Sequence, residues 1–176
     1  MEKIEVSYSD FLKETVRLLN DPGLLLVSVD GEGKPNAMAI GWGFIGILWS
    51  KPYFIVAVRP SRYTHQLIEE TGDYTVNVPG KDMRDIVNYC GTVSGRDHDK
   101  FKEKKLTPVK GKAVKSPIID ECVINFECKV DYKTRLNPEA LPAIVSRSYY
   151  PAGDYHTLYF GEILATYADR EIAEKI

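Results

Sequence analysis

The sequence predicts a mainly β protein, an antiparallel barrel or sandwich with a few helices at its periphery. About six or seven runs of apolar, β-branched and aromatic residues have the length and composition of strands. The segments between them are mostly short and rich in glycine, proline and asparagine, as in hairpin turns, and only two or three short stretches are helical in pattern. Because these helices do not alternate regularly with the strands, a parallel α/β sheet is not predicted.

The composition fits one globular domain over residues 1–176. Apolar residues make up 44% and charged residues 27%, the balance of a soluble protein, and a net charge of -2 gives no basic field for nucleic acid. No stretch is long enough to span a membrane, and the start MEKIEVSYSD lacks a signal peptide, so we expect a cytoplasmic protein. The three cysteines contain no C-x-x-C pair, and we expect at least two of them to be buried thiols, without a metal site.

The first half of the chain is predicted to begin with a helix and a hairpin. Ser9 or Asp10 can cap the helix, and the residues from Asn20 to Gly23 end it. The predicted elements are a helix over residues 11–19, a strand at Leu24–Val29, a turn over 30–35, strands over 37–42 and 53–58, and a helix over 63–70.

The second half is predicted to contain three longer strands and one helix. Asp73–Val78 alternates as a half-buried strand, and a helix runs from Asp82 to about Tyr89 with Gly91 as its C-terminal cap. The strand over 122–132 alternates cleanly, which predicts one face on the core and one in water. A strand over 156–166 completes the set, while residues 92–101, most of 133–154 and the charged tail are expected as surface segments.

The stretch from Gly41 to Gly46 matches the dinucleotide pattern G-x-G-x-x-G. That motif requires a helix after its last glycine, whereas residues 47–52 are a turn-like approach to another strand. We therefore expect the glycines to let a hairpin bend or a flat ligand approach the backbone.

Residues 59–65, Arg-Pro-Ser-Arg-Tyr-Thr-His, follow a predicted strand and open a predicted helix. A helix start has unpaired N–H groups and a partial positive charge, both of which favour an anion. Ser61 and Thr64 can cap or donate, and Arg59 and Arg62 add charge in a geometry that fits phosphate. This junction is predicted to bind a phosphate.

Four separated motifs resemble those of one family in the same order. They are NAMAIGWGFIG, SKPYFIVAVRPSRYTHQLIEETGDYTVNVP, YCGTVSGRDHDKF and HTLYFGEILA. Together they resemble the flavin reductase-like proteins of the FMN-binding split-barrel class, the flavoredoxin and archaeal ferric reductase type, over about residues 24–165. The resemblance implies a six-stranded antiparallel Greek-key barrel and a homodimer with one FMN per protomer near the subunit boundary.

The resemblance also implies where the cofactor would bind. The strand over 37–42 would lie along the isoalloxazine ring, with Asn36, Met38, Ala39, Ile40, Gly41 and Trp42 beside it. The phosphate end would be held by Arg59, Pro60, Ser61, Arg62, Thr64 and His65, and a second loop would add Ser94, Gly95, Arg96 and Lys100. The alternatives are that His65 is a surface residue and that the second loop is simply solvated.

His156 would lie near the reactive face of the flavin, and the alternative is that it only bonds a loop carbonyl. Trp42 is expected against the cofactor, and residues 149–155 are either a flap over the site or an ordinary loop.

The family implies an NAD(P)H-dependent flavin or ferric reductase, in which the flavin carries the redox chemistry and the chain needs no catalytic triad. The alternatives are an FMN electron carrier between protein partners without a nucleotide site, and a degenerate member that binds another flat phosphorylated ligand.

Overall fold

The computed structural model describes residues 2–176 and contains one curled antiparallel sheet, a two-stranded ribbon and short helices. The strands are β1 (Lys3–Glu5), β2 (Leu24–Val29), β3 (Pro35–Ile40), β4 (Gly43–Leu48), β5 (Lys51–Val58), β6 (Asp73–Val78), β7 (Pro108–Val109), β8 (Ile118–Ile119), β9 (Ile124–Arg135) and β10 (Thr157–Asp169). The helices are α1 (Leu12–Asn20), α2 (Tyr63–Thr71), α3 (Arg84–Thr92), α4 (Lys100–Lys104), α5 (Ala143–Tyr149) and α6 (Ile172–Lys175), with 3-10 turns at Lys81–Met83 and Pro138–Ala140.

The strand order of the main sheet is β3-β2-β6-β9-β10-β5-β4, with β1 added beside β10. β3 and β4 stand at opposite ends of this order, yet only Gly41 and Trp42 connect them, so the sheet must curl until its two ends approach. The Ala57 N–H donates to the Trp42 carbonyl at 3.4 Å, which extends the β4–β5 ladder by one residue toward β3. The predicted antiparallel barrel class is confirmed, as an unclosed sheet of eight strands in place of the six implied.

The β2–β3 hairpin forms as predicted, with Leu24 opposite Ile40 and the Asp30 carboxylate accepting two turn N–H groups. The strand β4, in contrast, was not expected. It pairs with β5 through a two-residue turn in which Trp49 and Ser50 both have positive φ, the geometry of a hairpin that follows the sheet twist. Because β4 contains two glycines, Gly43 and Gly46, its sequence does not have the typical composition of a strand.

Side chains of β2 alternate between two hydrophobic clusters. Leu24 and Leu26 belong to the cluster inside the curled sheet, whereas Leu25 and Val27 pack in a second cluster beneath α3 and α4. Because both faces of β2 are covered, the strand is fully buried. The second cluster fixes α3 and α4 against β2 and β3, and this contact positions the site described below.

The prediction that Asp73–Val78 is only half buried is wrong, because this strand is buried along its whole length. The first half of β9 is buried as well, including Asn125 and Glu127, which the alternation placed in water. A chain segment at residues 110–117 covers this face, and its N–H groups satisfy the Asp73 and Glu127 carboxylates.

Several predicted helix ends also differ. Neither Ser9 nor Asp10 caps α1, because the Asp10 carboxylate accepts the Ser7 N–H instead. Gly91 lies inside α3, which continues to Thr92. α4 and α5 occupy segments expected as loops, and the expected surface tail buries Asp169 at the end of β10 and Ile172 in the core.

The three cysteines are buried and free, as predicted. No helix within residues 2–176 has both the length and the apolar character needed to cross a bilayer.

Candidate functional site

A cavity of about 520 Å³ opens where β3, the start of α2 and the end of α3 meet. Its volume lies within the roughly 300–1,000 Å³ of small-molecule sites. All of the site residues predicted from the sequence line it, except Pro60 and His65. The structure thus brings together the strand, the helix start and the loop that the sequence marked separately.

Six lining residues were not predicted. They are Ala57, Tyr63, Cys90, Gly91, Thr92 and Val93. Most belong to the last turn of α3 and the residue after it, directly before the predicted Ser94, and a Cβ added at Gly91 would meet the Ala39 Cβ at 3.2 Å. The sequence signal was present in the motif YCGTVSG, but the helix was expected to end before it.

His65 lies outside the cavity because it is one position further round α2 than Thr64. Its Nε2 is 3.2 Å from the Thr157 hydroxyl, and its ring packs edge-on to Tyr159 at 5.6 Å. Burial lowers the pKa of His65, which favours the neutral imidazole. The structure assigns it to the contact between α2 and β10 and brings neither it nor Pro60 into the cavity.

One wall is a buried polar contact between β3 and α2. The Asn36 amide donates to the Thr64 hydroxyl at 2.9 Å, and both side chains are almost inaccessible to solvent. Gly95 packs directly on Asn36, so that an added Cβ would stand 2.0 Å from Asn36 Oδ1. A glycine is therefore required for the 93–97 loop to lie against the wall.

Four basic side chains line the cavity: Arg59, Arg62, Arg96 and Lys100. Arg96 donates to the Ser61 carbonyl at 3.2 Å and lies over the Tyr63 ring, while Arg62 is exposed at the start of α2. Among the lining residues of the described chain there is no aspartate or glutamate. The cavity is thus electropositive.

Lys100 is not the solvated loop residue that the sequence left as an alternative. It is 4% exposed, and its ammonium donates to the carbonyls of Ala37 at 2.9 Å and Cys90 at 2.8 Å. Burial lowers the pKa of Lys100, because no carboxylate compensates the lost hydration. An anionic ligand in the cavity would restore the missing counter-charge.

An oxyanion already sits at the start of α2. The Asp154 carboxylate accepts the Ser61 N–H at 3.2 Å and the Ser61 hydroxyl at 2.6 Å. Arg59 donates to the carbonyls of Asp154 and Tyr149 at 3.3 and 2.8 Å. Although partial burial acts to raise it, the pKa of Asp154 lies below its usual value because of the hydrogen bonds from Ser61 and the charges of the nearby Arg59 and Arg62, so the group is ionised.

One end of the cavity is aromatic. Trp42, which is 44% exposed, packs on His156 with ring centroids 4.8 Å apart and edge-on to Tyr149 at 5.3 Å. His156 is buried and shares a 2.8 Å hydrogen bond with the Tyr150 hydroxyl through Nδ1. Burial and the Arg59 charge lower the pKa of His156 to about 4, so the imidazole is neutral at pH 7.

The cavity therefore has basic side chains around the start of α2 and an aromatic end beside β3. Small residues, Ala39 and Gly41, keep the strand side open between them. This arrangement suits a ligand that is flat at one end and anionic at the other.

Comparisons with known proteins agree with this geometry. A family model described as "Flavin reductase like domain" matches residues 20–175. The solved structure of flavoredoxin from Desulfovibrio vulgaris (Miyazaki F) superposes with a TM-score of 0.69 at 28% identity, over 85% of this chain and 70% of that one. Flavoredoxin from Methanosarcina acetivorans gives a TM-score of 0.66 at 28% identity, over 97% and 77%. An uncharacterized protein of Archaeoglobus fulgidus is 38% identical over 77% of this chain and 67% of its own length.

Proposed function

The chain belongs to the flavin reductase-like family, and we propose that it is an FMN-binding oxidoreductase that uses this cavity as its flavin site. The observation that carries the proposal is the pairing of four basic side chains with an aromatic end in one cavity of suitable volume. In this proposal residues 1–176 act as one flavin-binding domain.

The residues present fit FMN. The Ser61 donors already hold a carboxylate, which supports this corner as a binding place for an oxyanion. Arg62, Arg96 and the first N–H groups of α2 would hold the phosphate, and buried Lys100 would supply charge deeper in the cavity. Trp42 and the β3 backbone would flank the ring.

When bound, FMN supplies the redox chemistry, and the protein supplies placement and electrostatics. The Asn36–Thr64 contact fixes the distance between β3 and α2, and Gly95 lets the second loop close on it. His156, neutral and oriented by Tyr150, would present a hydrogen-bonding edge to the ring without adding charge. Trp42 would exclude water from one side of the site.

We propose NADH or NADPH as the electron donor, which makes the chain a flavin or ferric reductase. Trp42 is partly exposed, so part of its ring would be accessible to a second flat ring, which supports this proposal. The similarity to two flavoredoxins at 28% identity favours a second candidate, an FMN carrier that exchanges electrons with a redox protein.

We propose that the chain forms a homodimer. In the described chain β4 is an end strand of the main sheet, and Phe44 and Ile47 on it and Trp49 in the turn after it are each more than 60% accessible. An unpaired edge strand with exposed apolar side chains is a typical protein contact. Because β4 begins directly after Trp42, a second copy on this edge would lie beside the cavity.

Anaerobic mixing of the FMN-loaded chain with NADH or NADPH tests the two candidates. Loss of the 450 nm band of the flavin, faster than for free FMN under the same conditions, supports the reductase. If neither nucleotide bleaches the flavin while dithionite and a reduced ferredoxin do, the carrier is supported and the reductase is rejected. If FMN does not bind at all, both candidates fail and another flat phosphorylated ligand is the remaining possibility.

A further inference from the structure

Asp154 is the one acidic side chain for which the structure records contacts with the phosphate-binding residues proposed above, within the described chain. Its carboxylate receives both donors of Ser61, the N–H and the hydroxyl, at the start of α2. The cavity beyond Ser61 is lined by basic side chains, with no carboxylate among the described lining residues. Asp154 therefore holds the position that an added oxyanion would seek.

The backbone around Asp154 is arranged for this contact. Asp154 has φ 58, in the left-handed region that aspartate and asparagine tolerate better than most residues. Arg59 donates hydrogen bonds to the carbonyls of Tyr149 and Asp154, and its guanidinium lies 5.0 Å from the Tyr150 ring centroid. The segment is thus held at several points by Arg59 and Ser61, just before α2 begins.

The same segment forms the aromatic end of the cavity. We define the 149–156 segment as the residues from Tyr149 to His156. Tyr149 and His156 both contact Trp42, and Tyr150 stacks on Tyr155 at 4.7 Å and bonds His156. A change in the Asp154 contact would therefore be transmitted to the residues beside the ring position.

We propose that Asp154 is an internal competitor for the phosphate end of the ligand, and that it sets the affinity for phosphorylated over unphosphorylated flavin. A phosphate dianion that takes the Ser61 donors meets a like charge and displaces the Asp154 side chain. Displacement loosens the 149–156 segment beside Trp42. This inference rests on the proposed flavin site and adds a residue that governs its selectivity.

The Asp154→Asn variant tests the proposal, because asparagine keeps the shape and tolerates the same φ while removing the charge. Full-length chains freed of flavin are titrated with FMN and with riboflavin by flavin fluorescence. We expect FMN to bind about tenfold more tightly to Asp154→Asn than to the native chain, and riboflavin to change less than about twofold. Asp154→Gly, which also accepts positive φ, gives the same direction.

Asp97→Asn is the matched control. Asp97 lies on the facing loop, is exposed, and has no recorded side-chain hydrogen bond or ion pair in the described chain. We expect the loss of the Asp97 charge to change FMN affinity less than about twofold at physiological salt, where surface charges are screened within about 8 Å.

Hydrogen exchange provides a measurement that needs no flavin. In the native chain, inorganic phosphate should speed amide exchange in the 149–156 segment, and in Asp154→Asn that segment should exchange fast without phosphate. Unchanged or weaker FMN binding by Asp154→Asn, or equal losses for FMN and riboflavin, would overturn the proposal and leave Asp154 a structural residue. If no chain binds flavin, the proposed function fails, and the exchange result with phosphate alone decides the role of Asp154.

Discussion

The Asn36 amide donates to the Thr64 hydroxyl at 2.9 Å and links β3 to the first turn of α2. The two residues are 28 positions apart in sequence and both are buried, so the contact fixes the wall of the cavity. Gly95 closes on this pair from the second loop. The distance between the two ends of the cavity depends on this packing.

Gly95→Ala should disrupt the wall. The new Cβ would lie 2.0 Å from Asn36 Oδ1 and 3.0 Å from the Tyr63 ring, so either the loop or Asn36 must move. We expect FMN affinity to fall by at least about tenfold, the equivalent of one lost charge-assisted hydrogen bond. Gly31→Ala is the control, since a Cβ there meets nothing within 4 Å and the affinity should not change. Equal affinities of both variants and the native chain would show that the wall is not part of the site.

Arg62→Ala should separate the phosphate end of the ligand from the ring. The guanidinium is exposed at the start of α2 and lines the cavity, so its loss removes a charge-assisted contact with phosphate alone. We expect FMN to bind about 10- to 100-fold more weakly and riboflavin to bind as before. Arg17→Ala, on the exposed face of α1, should leave both titrations unaltered. A parallel loss of riboflavin affinity would contradict this assignment.

His156 should titrate far below an ordinary histidine, with a pKa of about 4. Because the unfolded chain binds the proton near pH 6.5, stability is fully present above that pH and falls as the pH drops toward 4, by up to about 1.4 kcal/mol per pH unit. NMR titration of the His156 ring, assigned with His156→Gln, measures the midpoint directly. The stability of His156→Gln should depend less on pH in that window, and a native midpoint near 6.5 would refute the buried, neutral imidazole.

A charge on the β4 edge should break the proposed dimer. Phe44→Lys places an ammonium at a position that is 64% exposed in one chain and would be covered by the second copy. Sedimentation should show a dimer for the native chain and a monomer for this variant. Val16→Lys, at an apolar residue 55% exposed on α1, is the control and should remain a dimer. A native chain that sediments as a monomer would remove the interface.

Glu127→Ala should destabilise the fold although the sequence placed Glu127 in water. Its buried carboxylate accepts the N–H groups of Lys112, Ala113 and Val114, at 2.9, 2.6 and 3.1 Å, which would lose their partner. We expect a loss of about 3 kcal/mol in the free energy of unfolding, whereas Glu32→Ala in an exposed turn should stay within about 0.5 kcal/mol. Similar urea midpoints for the two variants would contradict the buried role.

The elements that local pattern determines were predicted well. Leu24–Val29 and Asp73–Val78 have the predicted bounds, and α2 differs by one residue, because their apolar runs are bounded by strong turn residues. Most residues of the predicted site line one cavity, because the fold brings β3, the start of α2 and the loop after α3 together. What binds there is still a proposal.

The features that the sequence missed depend on distant contacts. β4 contains two glycines and gains its strand character from pairing with β5. The face of Glu127 is covered by a segment that a pattern within one strand cannot indicate. The contact between Asp154 and Ser61 could not be predicted from a local pattern, because the two residues are 93 positions apart in sequence.

Calorimetric titration of the full chain with FMN and with riboflavin tests the central claim most directly. We expect one FMN per chain, bound at least about tenfold more tightly than riboflavin through the basic side chains at the start of α2. Equal affinities for the two flavins, or no binding of either, would contradict it.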